Sequence, residues 1–297
     1  MKNVAHARKA DLIGSALMVL AMALFAVEDA FLKSAAQTLP IGQILILFGI
    51  GGAAVFATLA RANGLPLYVP DVLSAPMRIR VVFEITGRLF YVLAIAMIPL
   101  SAATVILQAT PLVVVAGAAI LFKESVGWRR WAAIVAGLVG VVIIVQPGTE
   151  SFSALSLLAV VGMFGFAGRD LASRAAPVTV GTLLLGLYGF CAVIAAGGLY
   201  TLWDGSSFIR PDTRAALCLL GAVSAGVAAY ASLMKAMRSG AVSAVTPFRY
   251  TRLLFGIAMG VLLFGERLNA ATWTGSGLIV LSGLFIMWRG KQVAKQD

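Results

Sequence analysis

Eight ionisable side chains lie inside stretches of the sequence that are otherwise apolar. Glu28, Asp29, Glu84 and Asp170 are acidic, and Arg88, Arg169, Arg249 and Arg252 are basic. Removing a charge from water is costly, so each of these residues either pairs with another or serves binding, gating or coupling. Four charges of each sign allow complete pairing, which is the reading that requires no function. Glu84 and Arg88, Asp29 and Lys33, and Asp170 and Arg174 stand four residues apart, the spacing that brings opposite charges together on a helix. Glu28 and Arg169 hold equivalent places in an internal repeat described below, and they form a further candidate pair. Arg249 and Arg252 are three residues apart and share one helix face just after Pro247, which lacks a backbone donor and loosens the helix. Two guanidiniums beside opened backbone suit an anionic group such as a carboxylate. Gln108-x-Thr110-Pro111 repeats the polar-plus-proline pattern earlier in the chain, with interhelical hydrogen bonding as its plain alternative. Phe90, Tyr91, Tyr230, Phe248 and Tyr250 lie at similar depths and offer apolar surface for a planar group, or simple packing.

Catalytic chemistry has no such support. The one histidine is His6, no His-Glu-x-x-His segment occurs, and Cys191 and Cys218 both fall in apolar runs. No catalytic residue, metal site, cofactor or ATP-binding motif is expected, and the enzyme class is set aside.

These side chains need elements to hold them, and composition says in what solvent. Hydrophobic residues make up 61% of 297 positions and charged residues 12%, far too apolar for a water-soluble domain. Polar residues cluster in short breaks between apolar runs of roughly 20 residues, the length that spans a bilayer as a helix. The runs lack the alternation of barrel strands, so the class is all-α integral membrane protein. Ten spans are expected, at 12–33, 41–61, 79–98, 101–122, 128–146, 153–174, 180–203, 213–236, 241–264 and 270–288. Ala21-Met22-Ala23 resembles a signal-peptide cleavage site, but the repeat makes the first span part of the fold. With the N-terminus inside, the inner breaks hold 15 basic residues, Arg80 among them, against four outside. This bias puts both termini in the cytoplasm of a bacterial inner membrane. The net charge of +11 therefore reflects anchoring to anionic lipid, and nucleic acid is discarded as a partner. The expected partners are the bilayer and a small-molecule substrate, with a monomer as the working unit.

Sliding the chain over itself exposes the repeat. Phe25-Ala26-x-x-Asp29-x-x-x-Lys33 aligns with Phe166-Ala167-x-x-Asp170-x-x-x-Arg174 at an offset of 141. Ser101-Ala102, Leu121-Phe122-x-Glu124 and Trp131 align with Ser243-Ala244, Leu263-Phe264-x-Glu266 and Trp273 at an offset of 142. Five spans per half, over 1–148 and 149–297, invert the second half relative to the first. Inverted repeats can exchange conformations around a site near the midplane, which is alternating access.

The Phe-Ala-x-x-Asp-x-x-x-Lys segment and the Leu-Phe-x-Glu-x-x-x-x-x-x-Trp junctions at Glu124 and Glu266 resemble the EamA type of the drug/metabolite transporter superfamily, over residues 10 to 290. Within it, the chain is similar to the bacterial aromatic amino-acid exporters. The resemblance implies ten helices, cytoplasmic termini and a central cavity lined mainly by helices 1, 3, 4, 6, 8 and 9. It also implies export of amino acids, metabolites or drugs. On this reading Arg252, Arg249, Gln108, Glu84, Tyr91 and Tyr250 bind substrate, the arginines facing a carboxylate and Glu28 or Glu84 an ammonium. Glu28, Asp29, Asp170, Arg169 and Arg88 serve gating or coupling. The alternative is an importer or exchanger of an anionic or nucleotide-like metabolite, which two midspan arginines would serve equally well.

Overall fold

The structure, a computed structural model, describes residues 2–123, 126–146, 153–239 and 245–293. Among these residues every regular element is helical. The α-helices are α1 (Lys2–Ala35), α2 (Ile41–Ala62), α3 (Ala75–Met97), α4 (Leu100–Leu107), α5 (Thr110–Leu121), α6 (Trp128–Val145), α7 (Ser156–Arg174), α8 (Thr182–Asp204), α9 (Thr213–Ser239), α10 (Thr251–Phe264) and α11 (Ala270–Val293). Short 3₁₀ turns cover Pro70–Leu73 and Thr246–Tyr250.

Eight stretches are long and apolar enough to cross a membrane, α4 and α5 counting as one. The other two expected spans are distinctive for physical reasons. α3 carries Arg78, Arg80, Glu84 and Arg88 within 23 residues. α10 has only 14 residues because the segment before it is wound as a 3₁₀ turn.

Two expected boundaries need correction. The third helix begins at Ala75 rather than 79, with Pro76 in its first turn, where a missing backbone N–H costs nothing. Arg80, counted above among the charges of a cytoplasmic break, is therefore a buried helical residue. The fourth span is not continuous. Pro111 cannot donate to the carbonyl of Leu107, and the Thr110 hydroxyl takes that place at 2.6 Å. The amides of Gln108 and Ala109 turn to the carbonyls of Val105 and Ile106, both at 3.1 Å, so the helix tightens and breaks between α4 and α5. The ninth span was expected from 241, but residues 240–244 lie outside the described residues, as does Glu124.

The helices gather into two compact units, each drawing on both halves of the sequence. Met1–Val27, Leu100–Ser153 and Ala228–Asp297 form one, and Glu28–Pro99 with Ala154–Val227 the other. In the first, α4 packs on α10 and α6 on α11. Met18, Ala21 and Met22 of α1 form a buried cluster with Ala236 and Val245, flanked by Phe25, Leu233 and Phe255. In the second, α2 packs on α8, and α3 on both α7 and α8. The pairs α2–α8 and α6–α11 each join a helix to its counterpart one repeat later.

Lipid tails are as apolar as the side chains, so helix association here relies on close fit rather than on escape from water. At the α3–α7 crossing, a Cβ on Gly87 would lie 2.9 Å from the backbone nitrogen of Phe166, and one on Gly165 would strike the backbone of Gly87. At the α2–α8 crossing, a Cβ on Gly42 would sit 2.9 Å from the carbonyl of Gly197. The Gly256-x-x-x-Gly260 pattern works the same way, setting α10 against Thr104 and Ser101 of α4.

Candidate functional site

α1, α3 and α7 hold the buried charges of the unit built from Glu28–Pro99 and Ala154–Val227. Glu28 is 1% exposed and accepts from Arg88 Nη1 at 2.7 Å. Gly226 leaves room for that carboxylate, since a Cβ there would lie 3.0 Å from Glu28 Oε2. Arg88 also stands over the rings of Phe48 and Phe166, at 5.3 and 5.9 Å. Asp29, equally buried, accepts from the Tyr91 hydroxyl at 3.0 Å. Arg169 donates through Nε and Nη2 to Asp170 Oδ1, at 3.0 and 2.7 Å, and its guanidinium stacks 4.7 Å from the ring of Phe166. Phe166 thus lies between two guanidiniums, with Tyr91 edge-on at 5.9 Å. Such placements follow from the ring quadrupole, whose negative face attracts cations.

Glu84 is shared. Its Oε2 is 3.4 Å from Arg80 Nη2, and its Oε1 is 3.5 Å from Arg169 Nη1. Two sequence expectations are corrected by these contacts. The pair of Glu84 with Arg88 gives way to Glu84 with Arg80 and Arg169, and the pair of Glu28 with Arg169 gives way to Glu28 with Arg88. Both corrections share a cause. The glycine crossing draws α7 against α3, so Arg169 reaches Glu84, while Arg88, one turn further along α3, turns to α1. Lys33 donates its ammonium to the carbonyls of Ile95 and Ile98, at 2.8 and 2.7 Å. It thereby caps the C-terminal end of α3, where the helix dipole is negative.

The other unit holds the second group of expected residues. The Arg252 guanidinium stands 5.1 Å over the ring of Phe25. Gln108, at the break between α4 and α5, donates from Nε2 to the carbonyl of Arg249 at 3.1 Å. The two loosened helix segments are thus joined by a side-chain-to-backbone bond. Tyr250 is buried and its hydroxyl presses on Gly283 of α11, where any Cβ would collide with it. Its ring therefore packs on a helix, unlike Arg252 and Arg249, which keep partial exposure.

Each unit offers guanidinium groups beside aromatic faces, and the unit that holds Arg252 also has broken helices. Among the described residues no group of three or more His, Cys, Asp or Glu is placed to hold a metal ion. The sequence profile of the EamA-like transporter family matches residues 12–146 and again 154–288. The chain belongs to this family.

Relatives of this EamA-like transporter carry different solutes. The pseudopaline exporter CntI of Pseudomonas aeruginosa is 30% identical over 278 residues, covering 91% of this chain and 94% of the relative. The riboflavin transporter of Vibrio cholerae is 28% identical over 225 residues, 73% of either chain. The S-adenosylmethionine uptake transporter of Rickettsia prowazekii is 25% identical over 207 residues, 69% of either chain. A solved crystal structure superposes with a TM-score of 0.61 over 94% of this chain and 98% of the other at 22% identity, which shows a shared fold. The chain is a multi-pass membrane protein of a transporter family, not an enzyme.

Two residues of this transporter escaped the sequence reading. Arg80 ties three helices of its unit, donating to Ser173 Oγ of α7 at 2.9 Å and to the Leu185 carbonyl of α8 at 3.1 Å, besides contacting Glu84. Its signal was available in principle: moving the helix start back to the turn before Pro76 brings Arg80 into register with Glu84 at four residues. Glu266 was noted only as a repeat marker. It accepts from the backbone amides of Leu100 and Ser101, at 2.5 and 2.9 Å, and from the Ser101 hydroxyl at 2.8 Å. It satisfies the free amides at the start of α4, and Gly260 leaves it space.

Proposed function

We propose that this chain moves small carboxylate-bearing metabolites across the bacterial inner membrane by alternating access, with amino acids and related compounds, aromatic ones included, as exported substrates. The observation that carries the reading is Arg252, a charged group within the membrane that faces the ring of Phe25 and lies beside the broken helix at Arg249 and Gln108. A guanidinium in low dielectric binds a carboxylate through charge-assisted, bidentate hydrogen bonds. Export is supported by the likeness to the pseudopaline exporter, which extends over most of both chains.

In this reading Arg252, Arg249, Gln108 and Tyr250 serve substrate binding in their unit, and Glu84 and Tyr91 serve it in theirs. Glu28, Asp29, Asp170, Arg169 and Arg88 carry gating or coupling. Ten spans, arranged as inverted five-helix halves over 1–148 and 149–297 with both termini cytoplasmic, form the machine, working as a monomer. The excess of basic residues in the inner breaks supports that orientation.

The test is uptake of radiolabelled aromatic, aliphatic, polar and charged amino acids into proteoliposomes, comparing wild type with Arg252→Ala. Losing one charge-assisted contact of ~1.5–3 kcal/mol lowers transport by roughly tenfold or more. Uptake of amino acids that is unchanged in the variant refutes the role of Arg252. The riboflavin and S-adenosylmethionine relatives favour a second reading, import or exchange of an anionic or nucleotide-like metabolite. With a nucleotide-sugar and a sulfonium metabolite added to the same panel, movement of those compounds alone would replace the first reading with the second.

A further inference from the structure

Glu84 is buried, yet neither of its ionic contacts is close. Its two oxygens face Arg80 Nη2 at 3.4 Å and Arg169 Nη1 at 3.5 Å, whereas Arg88–Glu28 and Arg169–Asp170 in the same unit close to 2.7 Å. A carboxylate suspended between two guanidiniums has two places to settle. The place beside Arg80 is incomplete: Arg80 Nη1 is buried and has no hydrogen-bond acceptor among the described residues. Gly189 flanks it, with an added Cβ falling 3.3 Å from Arg80 Nη2 and 3.6 Å from Glu84 Oε2. A buried N–H without an acceptor is costly, so a move of Glu84 onto both Arg80 nitrogens gains a hydrogen bond.

Arg169 differs from Arg80 in access. A quarter of its side-chain surface stays open, against 6% for Arg80. Asp170 is open to a similar degree, at 27%. Arg169 already stands 4.7 Å over the ring of Phe166, a cation–π contact that restrains its guanidinium. We propose that Glu84 is an internal stand-in for a carboxylate of the transported solute: an incoming carboxylate binds Arg169, and Glu84 withdraws onto Arg80. The displaced charge stays neutralised throughout, because Arg80 receives what Arg169 gives up. Arg80 is then a positioning residue that sets how readily Arg169 is released. The inference rests on the transport reading for the ligand being a solute, but it places the anion at a different arginine from Arg252.

The probe is benzoate, a carboxylate on a planar ring, with benzamide as its uncharged isostere. Binding to the purified full-length chain in detergent is measured by calorimetry, which needs no transport. Wild type should bind benzoate and not benzamide. Glu84→Gln removes the internal competitor with little change of shape, and it should bind benzoate roughly tenfold more tightly. Asp170→Asn removes the other competitor and should act in the same direction, giving a second route should Glu84→Gln fail to fold. Arg169→Gln should abolish binding, and Arg80→Gln should weaken it by roughly threefold by denying Glu84 its second place. Benzoate binding that survives Arg169→Gln, or that is no tighter in Glu84→Gln and Asp170→Asn, overturns the proposal. A result in which Arg169 governs binding while Arg252→Ala transports normally refutes only the earlier role given to Arg252.

Discussion

Replacing Glu266 with alanine should destabilise the protein through a single helix end. The carboxylate accepts three hydrogen bonds, from the Leu100 amide at 2.5 Å, the Ser101 amide at 2.9 Å and the Ser101 hydroxyl at 2.8 Å. Two are to amides that no helical carbonyl can satisfy, and all three are strengthened by the negative charge. A bond to a charged group contributes ~1.5–3 kcal/mol, but Glu266 is only partly buried and water replaces some of what is lost, so Glu266→Ala should cost about 2–3 kcal/mol in all. Glu266→Gln keeps one acceptor oxygen and should cost about 1 kcal/mol. Gly260 supplies the decisive control. A Cβ at that position would collide with the Glu266 carboxylate, so Gly260→Ala should be destabilising in wild type. In the Glu266→Ala background the obstacle is gone, and alanine's better helix propensity, worth about 1 kcal/mol, should make the same change neutral or favourable. The coupling between the two substitutions should therefore reach about 1 kcal/mol or more. The assay is reversible unfolding of the four proteins in mixed micelles, titrated with a denaturing detergent and followed by tryptophan fluorescence. Stability of Glu266→Ala within about 0.5 kcal/mol of wild type, or an equal cost of Gly260→Ala in both backgrounds, would refute the capping argument.

Other expectations follow from the same contacts. Pro111→Ala restores the donor facing the Leu107 carbonyl and should stabilise α4–α5 by about 1 kcal/mol or more while slowing transport, read by melting temperature and initial uptake rate together. Lys33→Met removes an ammonium from two carbonyls at the end of α3 and should cost about 1.5–3 kcal/mol in the same unfolding titration, whereas Lys33→Arg should recover much of it. Gly165→Leu drives a side chain into the backbone of Gly87, so the yield of monodisperse protein in size-exclusion chromatography should collapse, while Gly198→Leu, which meets open space, should leave it near wild type. Tyr91→Phe should weaken the tie of α3 to Asp29 by about 1 kcal/mol, visible as faster amide exchange along α3.

Composition and periodicity alone determined that this chain lives in lipid, that its elements are helices, and where most of them run. Those conclusions depend on quantities summed over twenty residues at a time, which tolerate errors at any one position. The repeat was legible for a similar reason, because paired residues at one offset reinforce one another. The Pro111 break was visible as a weak point but not as two helices, since only the folded geometry shows the Thr110 hydroxyl taking the orphaned carbonyl.

Which charge meets which was decided by tertiary structure. Spacing of four residues proposed Glu84 with Arg88, and that rule holds on an isolated helix, where the nearest partner is on the same face. In the folded unit the nearest partner is set by which helix approaches. Gly87 and Gly165 let α7 come close enough for Arg169 to reach Glu84, leaving Arg88 to Glu28 on α1. The fate of Arg80 turned on one helical turn at Pro76, a boundary that hydropathy blurs because a charged first turn looks like a loop. Local sequence carries energies of tenths of a kilocalorie, whereas burying an unpaired charge costs several, so packing overrules local pairing wherever the two disagree.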